Sequence, residues 1–140
     1  MDYAAYKQKY YANPEPEPRY SFTGAFSVAL YYENYAEVVA YYTQALGPPA
    51  YVEGAGTRGW RIGKGWLTLF QGKSGKPENV EIAFVLETPE EAEELQRAFI
   101  DAGGTGDPPS DELMYEPIRF CGVTDPFGTK IIIISPLQSD

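Results

Sequence analysis

Arg119-Phe120-Cys121-Gly122-Val123-Thr124, then Asp125-Pro126-Phe127-Gly128, then Thr129-Lys130 and Ile131-Ile132-Ile133-Ile134 form the stretch from which the rest of the chain can be read. Asp at the first turn position, Pro at the second and Gly at the fourth supply what a type I turn needs: a side-chain acceptor, a pre-set φ and no Cβ. The flanking runs read as strands, and the isoleucine run as a strand buried on both faces. Taken alone this is a hairpin. Its weight comes from the chain before it, which is built twice.

Working outward, Val28-Ala29-Leu30, Asn34 and Leu46-Gly47 align with Ile82-Ala83-Phe84, Thr88 and Ala102-Gly103. Phe22 to Tyr32 is strand-like. Asn34 with Glu37 gives a capping-box signal, and Tyr35, Val38, Val39, Tyr42, Ala45 and Leu46 make one apolar helical face that Gly47-Pro48-Pro49 ends. Short strands are predicted over Ala50 to Glu53, Arg58 to Ile62 and Trp66 to Phe70, with a linker over Gln71 to Glu78. The order then repeats. Val80 to Leu86 is a strand, Thr88-Pro89-Glu90-Glu91 starts a helix, and Ala92, Leu95, Phe99 and Ala102 form its apolar face up to Gly103-Gly104. A short strand around Leu113 to Tyr115 and the closing hairpin complete the second unit. Internal duplication of βαβββ units follows, each with a helix on one face of a curved sheet.

Residues 1–19 stand apart. Tyr3, Tyr6 and Tyr10 recur at helical spacing, and Asn13-Pro14-Glu15-Pro16-Glu17-Pro18 is an extended spacer. A helix this short must dock or fray. The expectation is an arm that packs on a protein surface, a partner subunit before its own. The expected organisation is therefore an N-terminal tail or arm over 1–19 and a single domain over 20–137, with modules at about 20–76 and 77–137.

The 140 residues include 20 acidic and 11 basic side chains and no histidine, for a net charge of -9. That disfavours nucleic acid, which needs a basic face, and favours neutral or cationic ligands. One cysteine, Cys121, excludes an intrachain disulfide and a cysteine-rich zinc site; with no histidine to activate it, it reads as core. No apolar run is long enough to span a bilayer, and the first residues lack a signal-peptide pattern, so no membrane partner and a cytoplasmic location are expected. The 12 tyrosines, 7 phenylalanines and 2 tryptophans exceed what a core needs, pointing to a half-wet pocket or interface. Gly54-Ala55-Gly56-Thr57-Arg58-Gly59 matches a dinucleotide fingerprint in form, but it leads into strand-like Trp60 to Trp66 and reads as a hairpin turn.

From about Tyr20 to Leu137, the paired strand-helix openings and the closing Asp125-Pro126-Phe127-Gly128 resemble the vicinal oxygen chelate superfamily, which includes glyoxalase I, extradiol dioxygenases and bleomycin-resistance proteins. The resemblance implies an α+β fold of two tandem βαβββ modules forming a curved mixed sheet around a cleft, the glyoxalase/bleomycin-resistance-like fold, and often a homodimer. Metal-dependent members take ligands from the first and last strand of each module; the matching positions here are Ser27, Thr68, Glu81 and Ile132. Of these only Glu81 is a strong ligand, so neither a metal nor another cofactor is expected, and no catalytic residue is assigned.

Strand parity gives the candidate site. If those four positions face the cleft, so do Ala29, Tyr31, Trp66, Phe70 and Ala83. The candidate ligand-binding residues are Tyr31, Trp66, Thr68, Phe70, Glu81 and Arg119, with Tyr31, Trp66 and Phe70 expected to share one cavity with Glu81. The leading expectation is a non-metal protein that binds a small planar or cationic molecule, as a homodimer. The alternatives are a diverged metal-dependent lyase or dioxygenase of the same superfamily, and an interaction module with a closed cleft.

Overall fold

The structure, a computed structural model, describes residues 1–75 and 77–137. Lys76, inside the expected linker, and residues 138–140 lie outside the described residues. The chain opens with α1 (Tyr3–Tyr10), capped by the Asp2 side chain, which accepts from Ala5 N at 3.0 Å. The first module follows as β1 (Val28–Tyr32), α2 (Tyr35–Leu46), β2 (Tyr51–Glu53), β3 (Thr57–Ile62) and β4 (Gly65–Gln71). The second is β5 (Glu81–Val85), α3 (Pro89–Asp101), β6 (Ser110–Met114), β7 (Glu116–Thr124) and β8 (Lys130–Pro136).

Each module is a four-stranded mixed sheet, and the strand orders are the same: β1-β4-β3-β2 and β5-β8-β7-β6. In each, the first strand lies parallel to the fourth, with Val28 beside Leu67 and Glu81 beside Lys130, and the other pairs are antiparallel. The duplication is thus present in topology as well as in sequence. The sheets are open rather than closed into a barrel.

Period-two burial explains how each sheet meets its helix. Leu30 and Tyr32 of β1, Leu67 and Leu69 of β4 and Trp60 of β3 are buried with Val38, Tyr41 and Tyr42 of α2. Ile82, Phe84, Ile131, Ile133, Cys121 and Val123 are buried with Ala92 and Phe99 of α3 in the same core. Cys121 is a core residue, and burial pushes its thiol up from the ordinary value. The modules join where α2 packs on α3, with the Tyr41 and Phe99 ring centroids 5.9 Å apart and the Tyr41 hydroxyl donating to Phe99 O at 2.8 Å. Each aromatic ring buried there stabilises by roughly 1.5–3 kcal/mol.

The turn at Asp125 makes a second joint. Its carboxylate accepts from Phe127 N and Thr129 N at 2.9 and 2.8 Å, and Gly128 N donates to Asp125 O at 3.3 Å. The other carboxylate oxygen takes the Tyr42 hydroxyl at 2.8 Å, and Tyr32 bonds Thr129 Oγ1 at 2.7 Å. The turn of the second module is thereby bonded to α2 and β1 of the first.

Two local expectations need correction. The strand expected from Phe22 begins at Val28, because the β1–β4 ladder ends at Leu67 and β4 turns back into β3 just before Gly65. Phe22 and Phe26 are left 80% and 85% exposed. Asn34 stands at the helix N-cap but its side chain makes no capping bond, whereas Thr88 accepts from Glu91 N at 3.2 Å as expected. Within the single chain, Tyr6 and Tyr11 bond the backbone of Tyr115, and Tyr10 is exposed.

Candidate functional site

Among the described residues, two hollows lie on the sheet faces turned away from the helices. The first, of about 400 Å³, lies on the first sheet and is lined by Ser27, Tyr51, Glu53, Thr57, Trp66, Thr68 and Phe70. Ladder register builds it: Thr57 opposes Phe70, Gly59 opposes Thr68 and Arg61 opposes Trp66, so alternate residues of β3 and β4 share this face. Gly59 lies between Tyr51 and Trp66; a Cβ there would come within 3.2 Å of Tyr51 Cβ and 3.3 Å of the Trp66 ring. The Tyr51 and Trp66 rings meet edge to face at 6.1 Å. The Tyr51 hydroxyl donates to Glu53 at 2.7 Å, and that bond holds the phenol above its ordinary pKa. Arg61 places its guanidinium 4.0 Å from the Trp66 ring centroid, so this ring already carries a cation on one face. Tyr31 stacks on Phe70 at 4.9 Å and 17° and is 57% exposed.

The second hollow, of about 570 Å³, lies on the second sheet. Its wall includes the carboxylates Glu81, Asp107 and Glu112, the hydroxyls of Thr105, Ser110 and Thr124, the apolar side chains of Met114, Phe120 and Ile132, and Lys130. Gln96, buried on α3, donates to Asp107 O and Gly122 O at 2.8 and 3.0 Å, tying the Asp107 loop to β7. Gly106 lets that loop approach, since a Cβ would fall 2.2 Å from Gly122 O.

The six residues singled out from sequence therefore separate. Trp66, Thr68 and Phe70 line the aromatic hollow, with Tyr31 stacked at its margin. Glu81 lines the acidic one, and no described hollow holds both Trp66 and Glu81. Strand parity puts Trp66, Thr68, Phe70 and Glu81 on hollow-lining faces, and those faces belong to different sheets. Arg119 lies outside both hollows. It shares the parity of buried Cys121, on the helix side of β7, and pairs there with Glu93 at 3.4 Å and with Asp111. Tyr51, Glu53, Asp107 and Glu112 were missed; the alternation on β3 and β4, carried one strand outward, points to the first two.

Ser27 and Thr68 face the first hollow, and Glu81 and Ile132 the second. Two hydroxyls, one carboxylate and an isoleucine on separate sheets do not fit a divalent-metal site. Among the described residues no three His, Cys, Asp or Glu side chains come together to hold an ion.

The family model for the Glyoxalase/Bleomycin resistance protein/Dioxygenase superfamily matches residues 24–133. The chain belongs to this superfamily. Solved structures share the glyoxalase-like fold. A glyoxalase/bleomycin resistance protein from Albidiferax ferrireducens T118 is 17% identical with a TM-score of 0.64, over 79% of this chain and 97% of its own. An integron cassette protein from the mobile metagenome of Halifax Harbour Sewage Outfall is 22% identical with a TM-score of 0.65, over 81% and 99%. Lactoylglutathione lyase from Agrobacterium tumefaciens is 14% identical with a TM-score of 0.62, over 82% and 95%. At these identities the likeness is one of fold. A search of curated proteins finds no match. The N-terminal helix of this glyoxalase-like protein precedes the matched residues.

Proposed function

We propose that this glyoxalase-like protein binds a small planar, cationic molecule without a metal, as a homodimer in which the aromatic hollow of one copy and the acidic hollow of the other form one cleft. The observation that carries the reading is Trp66: its ring lies in an open hollow and already takes a guanidinium at 4.0 Å. A flat face that accepts a cation suits a ligand that is both planar and charged. The net charge of -9 and the acidic wall of the second hollow favour the same sign of ligand. The donor set at the four metal-equivalent positions supports binding rather than metal-assisted chemistry. β1 and β5 each pair with a single strand among the described residues, and Tyr31 and Val85 on them stand 57% and 64% exposed, which supports a second copy as cover.

The test uses N-methylacridinium and acridine, a matched cationic and neutral pair at pH 8. Trp66→Ala should weaken both, by about tenfold, through lost stacking. Glu81→Gln should weaken N-methylacridinium alone. Equal losses for the two probes in Glu81→Gln would sink the charge role, and unchanged binding in Trp66→Ala would sink the site.

A further inference from the structure

Tyr115 is the one residue between β6 and β7, since Met114 and Glu116 are register partners. Its φ is +67, the one positive value at a non-glycine residue among the described residues. A bulky side chain in that conformation is an outlier, so something must hold it there. Both of its backbone polar groups go to the N-terminal segment. Its N–H donates to the Tyr6 hydroxyl at 2.9 Å, and its C=O accepts from the Tyr11 hydroxyl. The grip has internal support, because Lys7 places its ammonium 5.3 Å from the Tyr3 ring and 5.7 Å from the Tyr11 ring. β6 is an outer strand, paired with β7 alone among the described residues, and its Ser110, Glu112 and Met114 form one wall of the acidic hollow.

We propose that α1 is a clip, with Tyr6 and Tyr11 as positioning residues that hold the β6–β7 turn and through it the outer wall of the acidic hollow. The clip lies outside the superfamily-matched residues, which begin at position 24. Its bearing on ligand binding rests on the acidic hollow being part of the ligand site; its bearing on β6 does not.

The experiment is a double variant, Tyr6→Phe with Tyr11→Phe, which keeps both rings and removes both hydroxyls. Amide hydrogen exchange, followed by NMR, should accelerate about tenfold at Tyr115 and along β6, while Leu67 and Leu69 of β4 stay as in the parent. N-methylacridinium affinity should fall several-fold, and acridine affinity less. Unchanged exchange at Tyr115 and β6 overturns the clip. Faster exchange with unchanged affinity overturns its role in the hollow. If the parent protein binds neither probe, the ligand reading fails by itself, and the exchange result still decides whether α1 holds β6.

Discussion

Tyr42 donates from α2 to Asp125 in the β7–β8 turn, and neither residue is more than 3% exposed. Removing the hydroxyl leaves a buried carboxylate oxygen without its donor. Tyr42→Phe should therefore cost about 1–3 kcal/mol in urea unfolding at neutral pH. The same residue sets an alkaline limit. Burial, then the neighbouring Tyr32 and Asp125, pushes the Tyr42 phenol above its ordinary value of 10.0, and burial does the same at Tyr32 and Tyr41. In each case the folded state holds the proton more tightly than the unfolded one. The stability this brings is whole below pH 10.0 and is lost as pH rises toward the folded-state values. The urea midpoint should fall above that pH, and Tyr42→Phe should fall less steeply despite its lower starting point. A variant with the parent's slope would show that Tyr42 does not titrate on unfolding.

At the scale of elements, the two module helices start in different ways. Thr88 caps α3 through its side chain, while Asn34 occupies the matching position on α2 with no such bond. Thr88→Ala should cost about 1 kcal/mol and Asn34→Ala well under half of that, measured by thermal unfolding of each. Equal losses would contradict the capping geometry. The same contrast shows what sequence can carry. Helix existence, strand existence and the repeat were legible because they rest on periodicity and glycine placement. The capping bond at Asn34 was not, because the same residue type serves with or without it. Tyr41 lies beyond the apolar face read from the sequence, yet it is buried because α2 packs on α3 as well as on its sheet. Trp66, Thr68 and Phe70 were placed on one face by alternation along β4. That they stand apart from Glu81 depends on two sheets meeting or not, and no local pattern encodes that.

For the whole molecule, the surface left apolar is as informative as the core. Phe22, Phe26, Tyr31 and Val85 are 57% exposed or more. Leaving rings and branched side chains in water is unfavourable, and a second copy would remove that cost. Sedimentation should give twice the chain mass of 15.6 kDa, and Val85→Asp should give the single-chain mass with the fold intact by circular dichroism. A parent protein that sediments as one chain would remove the homodimer. The hydrogen bonds at Tyr115 carry a further meaning when time is considered. They join residues 109 and 104 positions apart, whereas the parallel strands within each module close much shorter loops. Loop closure grows costlier with length, and nothing rewards this one until the β6–β7 turn has formed to meet the two hydroxyls. The N-terminal helix should thus dock late in folding and undock before the sheets open, an order that pulse-labelled hydrogen exchange would read. Its departure is a local opening, separate from loss of the core.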